Sequence, residues 1–143
     1  MKHFTPLFVL LLSVFCLFSG CDRGRVPGLV QFEGIVIYNG EPLTEAMIGF
    51  HPTEGGRFAY ALTDAAGRFS ATTIDPSDGI VKGQYKVTVA KYVVVRYIQR
   101  SDGPEAVAEN MLPSRFETPD ATPLTLDVTA RNRDARIEFS DAD

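Results

Sequence analysis

Gln84-Tyr85-Lys86-Val87-Thr88-Val89-Ala90-Lys91-Tyr92-Val93-Val94-Val95 is the longest strand-forming stretch of the chain. Apolar side chains at Tyr85, Val87 and Val89 alternate with polar or small ones, and this period of two sends successive side chains to opposite faces of a sheet. The three consecutive valines break the alternation. We therefore predict that residues 84–95 form a half-buried strand whose second half is buried on both faces or swapped.

The same period recurs on both sides of this stretch. Residues 32–38 lead into Asn39-Gly40, a pair suited to a tight turn with positive φ. A second turn lies at residues 64–67, where the Asp64 carboxylate can accept hydrogen bonds from turn amides and Gly67 can adopt the left-handed conformation. The predicted strands are residues 32–38, 46–51, 57–63, 68–73, 84–95, 124–128 and 136–139. Seven such strands predict an all-β fold, a small β-sandwich in a single domain of residues 30–143.

The first twenty residues have the layout of an export signal. A short positive start, residues 1–3, precedes an apolar run, residues 4–18, and Ser19-Gly20-Cys21 follows it. This layout resembles the signal peptide of bacterial lipoproteins, which is cleaved before the cysteine that receives diacylglycerol and palmitate. Phe18 stands where an aliphatic residue is usual. The resemblance implies a cleaved signal peptide over residues 1–20 and lipid attachment at Cys21.

Residues 1–20 have two alternative interpretations, a cleaved signal peptide without lipidation and a retained membrane anchor. The apolar run is shorter than the roughly twenty residues that a membrane-spanning helix needs, which disfavours the anchor. Lipidation also explains the cysteine count, because Cys16 lies in the removed segment and leaves Cys21 as the single thiol. Two acyl chains hold a protein stably on a membrane, whereas one holds it marginally. Residues 21–29 would then be a lipidated tether.

The charge balance excludes one class of partner. The chain carries 14 Lys and Arg against 18 Asp and Glu, a net charge of −4, and removal of Lys2 with the signal would make it slightly more acidic. No basic run is present. Nucleic acid is therefore not an expected partner, because its phosphates are bound by clustered cations.

A set of short motifs occurs in a fixed order along the chain. They are Gly34-x-Val36, Asn39-Gly40-x-Pro42-Leu43, Ala46-x-Ile48-x-Phe50-x-Pro52, Thr63-Asp64-x-x-Gly67-Arg68-Phe69 and Gly83-x-Tyr85-x-Val87-x-Val89. The set resembles the carboxypeptidase regulatory-like, or transthyretin-like, domains of small bacterial lipoproteins. This resemblance implies a seven-stranded Greek-key sandwich without established catalytic residues. Fold alone does not define an activity.

The chain offers little for catalysis or metal binding. His51 is the only histidine after residue 20, and it falls on the outward side of its strand, so we expect a solvated surface residue rather than the base of a triad. The transthyretin-like hydrolases that act on hydroxyisourate use several histidines and a characteristic C-terminal tetrapeptide, and this chain has neither. Asp75 and Asp78 are too sparse for a calcium loop and are predicted to cap a turn. We expect no enzyme, no cofactor and no metal.

The connection over residues 96–122 is unusually long for a compact domain. Ser101-Asp102-Gly103 followed by Pro104 predicts a short helix over residues 104–109. This connection would pack over one edge of the sandwich through Leu112, Pro113 and Phe116. In the functional alternative, Arg115 and Phe116 present a contact surface for a ligand or partner.

Most aromatic residues fall on inward positions, namely Phe50, Phe69, Tyr85 and Phe139. Tyr60, Tyr92 and Tyr97 are free to lie on the surface. Taken together, the sequence predicts a lipid-anchored cell-envelope lipoprotein whose sandwich is a non-catalytic module that binds an envelope protein or polysaccharide. It would sit in the cell membrane or the outer membrane. A small exported enzyme and a purely structural spacer are the alternatives.

Overall fold

The computed structural model describes residues 26–142, which fold into two four-stranded β-sheets packed face to face and two smaller, two-stranded sheets. The predicted signal peptide and Cys21 lie outside the described residues. The strands are β1 (Leu29–Val30), β2 (Phe32–Tyr38), β3 (Glu41–Pro42), β4 (Met47–Pro52), β5 (Ala59–Leu62), β6 (Arg68–Ser70), β7 (Ile80–Val81), β8 (Gly83–Ala90), β9 (Tyr92–Arg100), β10 (Gly103–Asn110), β11 (Thr125–Val128) and β12 (Asn132–Phe139).

The first sheet is built around β2, which runs parallel to β12 on one side and antiparallel to β3 and β6 on the other. The second sheet is antiparallel and has the order β11-β8-β4-β5. The chain changes sheets between β2 and β4, between β5 and β6, between β6 and β8, and between β11 and β12. The seven predicted strands correspond to β2, β4, β5, β6, β8, β11 and β12, so the predicted all-β sandwich is confirmed.

The core lies between the two sheets and is rich in aromatic rings. The ring of Phe50 on β4 lies 6.1 Å from Phe32 and 6.1 Å from Phe69, both on the first sheet, and 6.5 Å from Tyr85 on β8. Offset and edge-on contacts of this kind add to the free energy gained by removing apolar surface from water. The predicted inward positions of Phe50, Phe69, Tyr85 and Phe139 are confirmed, since all four are buried.

The predicted turns also form. Asn39 and Gly40 both have positive φ, at 50° and 84°, as a tight β2-β3 turn requires. The Asp64 carboxylate accepts hydrogen bonds from the amides of Ala66 and Arg68, at 2.8 and 2.9 Å, and Gly67 has φ 72°. These hydrogen bonds lower the pKa of Asp64. Local turn chemistry therefore fixes two of the connections between strands.

Two predictions for residues 84–110 are wrong. The long strand ends at Ala90, and its valine-rich second half belongs to a separate strand, β9, whose residues are all exposed. Residues 104–109 form part of β10 rather than a helix, because they pair antiparallel with β9. A helix of six residues has few internal hydrogen bonds to offset its nucleation cost, whereas pairing along a neighbouring strand satisfies the backbone of the whole segment.

Candidate interaction surface

Strands β9 and β10 form a hairpin, residues 92–110, which we call the arm. Within the part of the chain that the structure describes, each of these strands pairs only with the other. The arm leaves the sandwich at one narrow place, where the Met111 amide donates to the Lys91 carbonyl oxygen at 2.8 Å. Asn110 reinforces this place, since its Oδ1 accepts from the amides of Lys91 and Leu112. The arm is therefore a projection from the sandwich rather than a layer of it.

The register of the arm determines which side chains share a face. Tyr92 lies opposite Asn110 and Val94 opposite Ala108, but Arg96 lies opposite Val107, so Val95 is the extra residue of a β-bulge. Directly opposed residues point to the same face, and neighbours along a strand point to opposite faces. The register thus sorts the other residues of the arm into two faces.

The two faces differ sharply in charge. The first, which we call the uncharged face, contains no ionisable acid or base other than tyrosine and is formed by Tyr92, Val94, Tyr97, Gln99, Pro104, Ala106, Ala108 and Asn110. The second, the charged face, is formed by Val93, Arg96, Ile98, Arg100, Gly103, Glu105, Val107 and Glu109. On the charged face Arg100 forms an ion pair with Glu105. All the lysine, arginine, aspartate and glutamate side chains that the two strands carry lie on this second face.

The uncharged face leaves large side chains in solvent. Tyr92 is 60% exposed, Val94 48% and Tyr97 71%. With about 150–250 Å² for each aromatic side chain, these three residues expose on the order of 300 Å², which is comparable to the largest apolar patch of a typical monomer. A two-stranded hairpin is also marginally stable in water without a third strand or a packing surface. The arm thus exposes an apolar face that no other strand of the described residues covers.

Arg115 and Phe116, the residues predicted as a contact surface, have internal roles. Phe116 lies in a short 3-10 helix, Ser114–Phe116, and is fully buried, with its ring centroid 4.7 Å from that of Phe139. The Arg115 guanidinium lies 4.6 Å from the Phe116 ring centroid and donates to the backbone oxygens of Ser140 and Asp141. The geometry therefore matches the packing alternative, with Leu112 and Phe116 buried, and offers no exposed Phe116 ring.

His51 lies on the outer face of β4, as predicted, but it is half-buried rather than solvated. Its Nε2 is 3.0 Å from Thr88 Oγ1, and its ring centroid is 4.9 Å from that of Phe58. Gly49 between them leaves room for this cluster, because a Cβ there would lie 2.5 Å from Thr88 Oγ1. Burial lowers the pKa of His51. The contacts of His51 are those of a packed imidazole, and no carboxylate orients it among the hydrogen bonds of the described residues.

The segment around Asp75 and Asp78 forms a turn, as predicted, but within the described residues Asp78 caps it and the Asp75 carboxylate does not. The Asp78 carboxylate accepts hydrogen bonds from the amides of Thr73, Ile74 and Asp75, at 2.7 to 3.0 Å. Across residues 26–142 no cluster of three or more His, Cys, Asp or Glu side chains is placed to hold a metal ion. The helical structure in this part of the chain also includes no segment of the length and apolarity needed to span a bilayer.

Comparison with known proteins gives one distant likeness. No family model matches the chain, and no curated protein matches it in sequence. A 9R-lipoxygenase from Cyanothece PCC8801 has a solved structure that is similar over 95% of this chain and 20% of its own length, with 14% sequence identity and a TM-score of 0.37. A likeness at this level carries no argument about function, so the candidate site depends on its own geometry.

Two signals in the sequence point to the arm, although the pattern of residues 101–109 favours a helix. Asp102-Gly103 is a pair typical of hairpin turns, and it separates two segments of nearly equal length. The tyrosines left open as surface residues, Tyr60, Tyr92 and Tyr97, are all exposed, and two of them lie on the arm. Pro104 suits the first position of a helix, but it fits an exposed edge strand equally well.

Proposed function

We propose that the chain is a lipid-anchored envelope protein whose sandwich is a non-catalytic module that binds another protein through the arm. The observation that carries the binding part is the exposed, uncharged face around Tyr97. Tyrosine is enriched at protein interfaces, whose centres are depleted of charged residues. Of the two tyrosines on this face, Tyr92 donates its hydroxyl to the Glu117 carboxylate at 2.9 Å, and Tyr97 lies nearer the tip of the arm. The lipid anchor, in the cell membrane or the outer membrane, rests on the sequence around Cys21.

Several observations support a non-catalytic role. His51 contacts Thr88 and Phe58 in a cluster explained by packing. The carboxylates of Asp64 and Asp78 both accept hydrogen bonds from backbone amides of their turns. A nucleophile beside a base, with a group to orient the base, is the arrangement that hydrolytic sites require. The motif set resembling carboxypeptidase regulatory-like domains points in the same direction.

The anchoring part is tested by the intact mass of the protein extracted from membranes. We expect a chain that begins at Cys21 and carries acyl groups, and we expect Cys21→Ser to lack them. An unlipidated mass in the parent protein would contradict the proposal and would indicate a free exported domain or a retained signal anchor.

The binding part is tested by placing a photo-crosslinking amino acid at Tyr97 in the lipidated protein in intact envelopes. Tyr60 serves as a matched control, because it is also an exposed tyrosine but lies on β5 of the sandwich. We expect a discrete protein adduct from position 97 that is absent or much weaker from position 60. No adduct from position 97 would favour a structural spacer, and substrate turnover that survives removal of the arm would favour an enzyme.

A further inference from the structure

We infer that the short tether holds the sandwich with the arm directed away from the anchoring membrane, so that a partner of the arm is a protein in the aqueous layer of the envelope. The inference deepens the proposed function and rests on it, since it uses the lipid on Cys21 and says where the partner lies. It follows from which end of the sandwich receives the tether and which end carries the arm.

The tether joins the sandwich beside the start of β8. Strand β1 pairs antiparallel with β7, with Leu29 opposite Val81, and β8 begins directly afterwards at Gly83. The Gly28 carbonyl oxygen also accepts from the Lys82 amide at 3.3 Å, in the link between β7 and β8. The chain therefore enters the sandwich at this end of β8, which we call the tether end.

The arm leaves the sandwich at the opposite end of β8. That strand ends at Ala90, and the arm begins at Tyr92. Arg115, in the segment that follows the arm, donates to the backbone oxygen of Asp141, whose carboxylate accepts from Tyr38 at the far end of β2. Both roots of the arm thus lie on the far side of the sandwich from the tether, roughly 25 Å away along the strands.

Beyond its root, the arm extends away from the sandwich. Among the described residues, the side chains of the arm that form hydrogen bonds with the rest of the chain are those of Tyr92 and Asn110. These two residues lie opposite each other at the root. All residues of β9 are exposed, and the strand is about 28 Å long. The tip of the arm is therefore up to about 50 Å from the tether end.

The reach of the tether excludes an inverted sandwich. Cys21 lies eight positions before Leu29, and eight residues span less than about 30 Å even when fully extended. If the arm pointed at the membrane, the tether would have to run back past both the arm and β8, a distance of about 50 Å. The tether is too short for that orientation.

Charge opposes the other ways of bringing the arm to lipid. Insertion of the arm would move Arg96, Arg100, Glu105 and Glu109 into the hydrocarbon, and charged side chains that face lipid on a strand are unfavourable. A sandwich lying on its side would need a flank that attracts headgroups, but the chain has a net charge of −4 and no basic run. The orientation that remains carries the arm into the aqueous layer.

The experiment compares the distances of three positions from the membrane surface. Single cysteines replace Arg131 at the tether end, Leu62 on the outer face of β5 and Ser101 at the tip of the arm, all of which are exposed. The lipidated variants carry a fluorescent donor on the new thiol. They are added to preformed vesicles of phosphatidylethanolamine and phosphatidylglycerol with an acceptor on some headgroups. The parent chain, treated identically, measures any labelling of Cys21.

We expect energy transfer from position 131 to exceed that from position 101 at least about threefold, because the strand lengths separate the two positions by up to about 50 Å. Transfer from position 62 should lie between them, since Leu62 pairs with Met47 at the arm end of the sandwich but belongs to no part of the arm.

A longer tether tests the cause of the orientation. Insertion of about twenty Gly and Ser residues after Asp22 extends the reach of the tether beyond about 50 Å and frees the sandwich to turn over. We expect the ratio of transfer from positions 131 and 101 to fall to less than about twofold. The same segment added after Asp143 is the matched control and should leave the ratio unchanged. A ratio that survives the longer tether would overturn the inference.

Equal transfer from positions 131 and 101 with the parent tether, or the highest transfer from position 62, would also overturn the inference. A protein adduct from position 97 in intact envelopes would then still support the proposed binding function, with a partner at the membrane surface. If the variants do not bind vesicles and their intact mass shows no acyl groups, the anchoring part of the proposed function fails together with the inference.

Discussion

Phe116 packs its ring against that of Phe139, with the centroids 4.7 Å apart and the planes inclined by 58°. Phe139 is the last residue of β12, and Phe116 belongs to the connection between the arm and β11. This contact attaches a long irregular segment to the core at a place where both rings are buried. Arg115 extends the attachment to the backbone of residues 140–141.

Truncation of Phe116 should therefore destabilise the sandwich strongly. We expect Phe116→Ala to lower the free energy of unfolding by about 3–5 kcal/mol, the usual cost of removing a buried phenylalanine ring. Urea titration followed by fluorescence or circular dichroism measures the change. Phe58→Ala is the control, because Phe58 is 48% exposed and its loss should cost about 1 kcal/mol or less. Equal losses would show that Phe116 is not a core residue.

Gly34 is expected to be indispensable for the pairing of β2 with β12. A Cβ at this position would lie 2.0 Å from the carbonyl oxygen of Ala135, which is backbone and cannot rotate away. We predict that Gly34→Ala costs about 3 kcal/mol or more by overpacking. Gly40→Ala, in open space but with φ 84°, should cost only about 1–2 kcal/mol. Thermal denaturation of the two variants decides between a steric and a conformational requirement, and the reverse ranking would contradict the prediction.

His51 should make stability dependent on pH. Burial lowers its pKa from the ordinary value of 6.5, so between the lowered pKa and 6.5 the unfolded chain binds a proton that the folded chain does not. The contribution of His51 is therefore complete above about pH 6.5 and is lost as the pH falls towards the lowered pKa.

The measurement compares urea midpoints at about pH 7.5 and about pH 5.5 for the parent chain and for His51→Gln. We expect a smaller loss of stability on acidification in the variant. Identical losses would mean that carboxylates alone cause the change and that His51 is solvated in both states.

Asp78 should be the carboxylate that holds the turn before β7. Its oxygens accept from three consecutive amides, and these hydrogen bonds hold its pKa low even though burial opposes this. We expect Asp78→Ala to cost about 1–3 kcal/mol, because the freed amides lose a charged acceptor. Asp75→Ala, three residues away, is the matched control with an expected change within about 0.5 kcal/mol. A comparison of their urea midpoints measures the difference, and a larger loss from Asp75→Ala would contradict the assignment.

The arm should be removable without loss of the sandwich. Lys91 and Met111 are joined by a backbone hydrogen bond, so residues 92–110 can be replaced by a two-residue Asn-Gly turn. We expect the free energy of unfolding to fall by no more than about 1–3 kcal/mol, because the deletion removes the Asn110 oxygen that accepts from the amides of Lys91 and Leu112 but no residue of the core. The variant also lacks position 97, so it should form none of the protein adducts expected from that position. Denaturant unfolding measures the first effect, and collapse of the fold would show that the arm is part of the core.

Local patterns were sufficient for much of the sandwich. The alternation in β2, β4 and β8 predicted which side chains face the core, and the turn residues Asn39-Gly40 and Asp64 to Gly67 predicted how strands connect. Both depend on neighbours within a few residues, and the chemistry of those neighbours is fixed wherever the segment lies.

The exposure of the arm could not be predicted in the same way. The sequence of residues 93–95 indicates a strand equally well whether a second sheet covers it or water does. Whether those valines are buried depends on whether another layer is present, and that is a property of the whole chain.

By itself, then, the sequence determined an all-β chain, seven of the eight strands of its two larger sheets, their inward faces and their tight turns, because periodicity and turn chemistry act locally. The tertiary structure alone decided that Phe116 is a core residue, that Arg115 holds the end of the chain, and that residues 92–110 project with one uncharged face. These outcomes depend on contacts between residues distant in sequence, and only the folded arrangement sets such contacts.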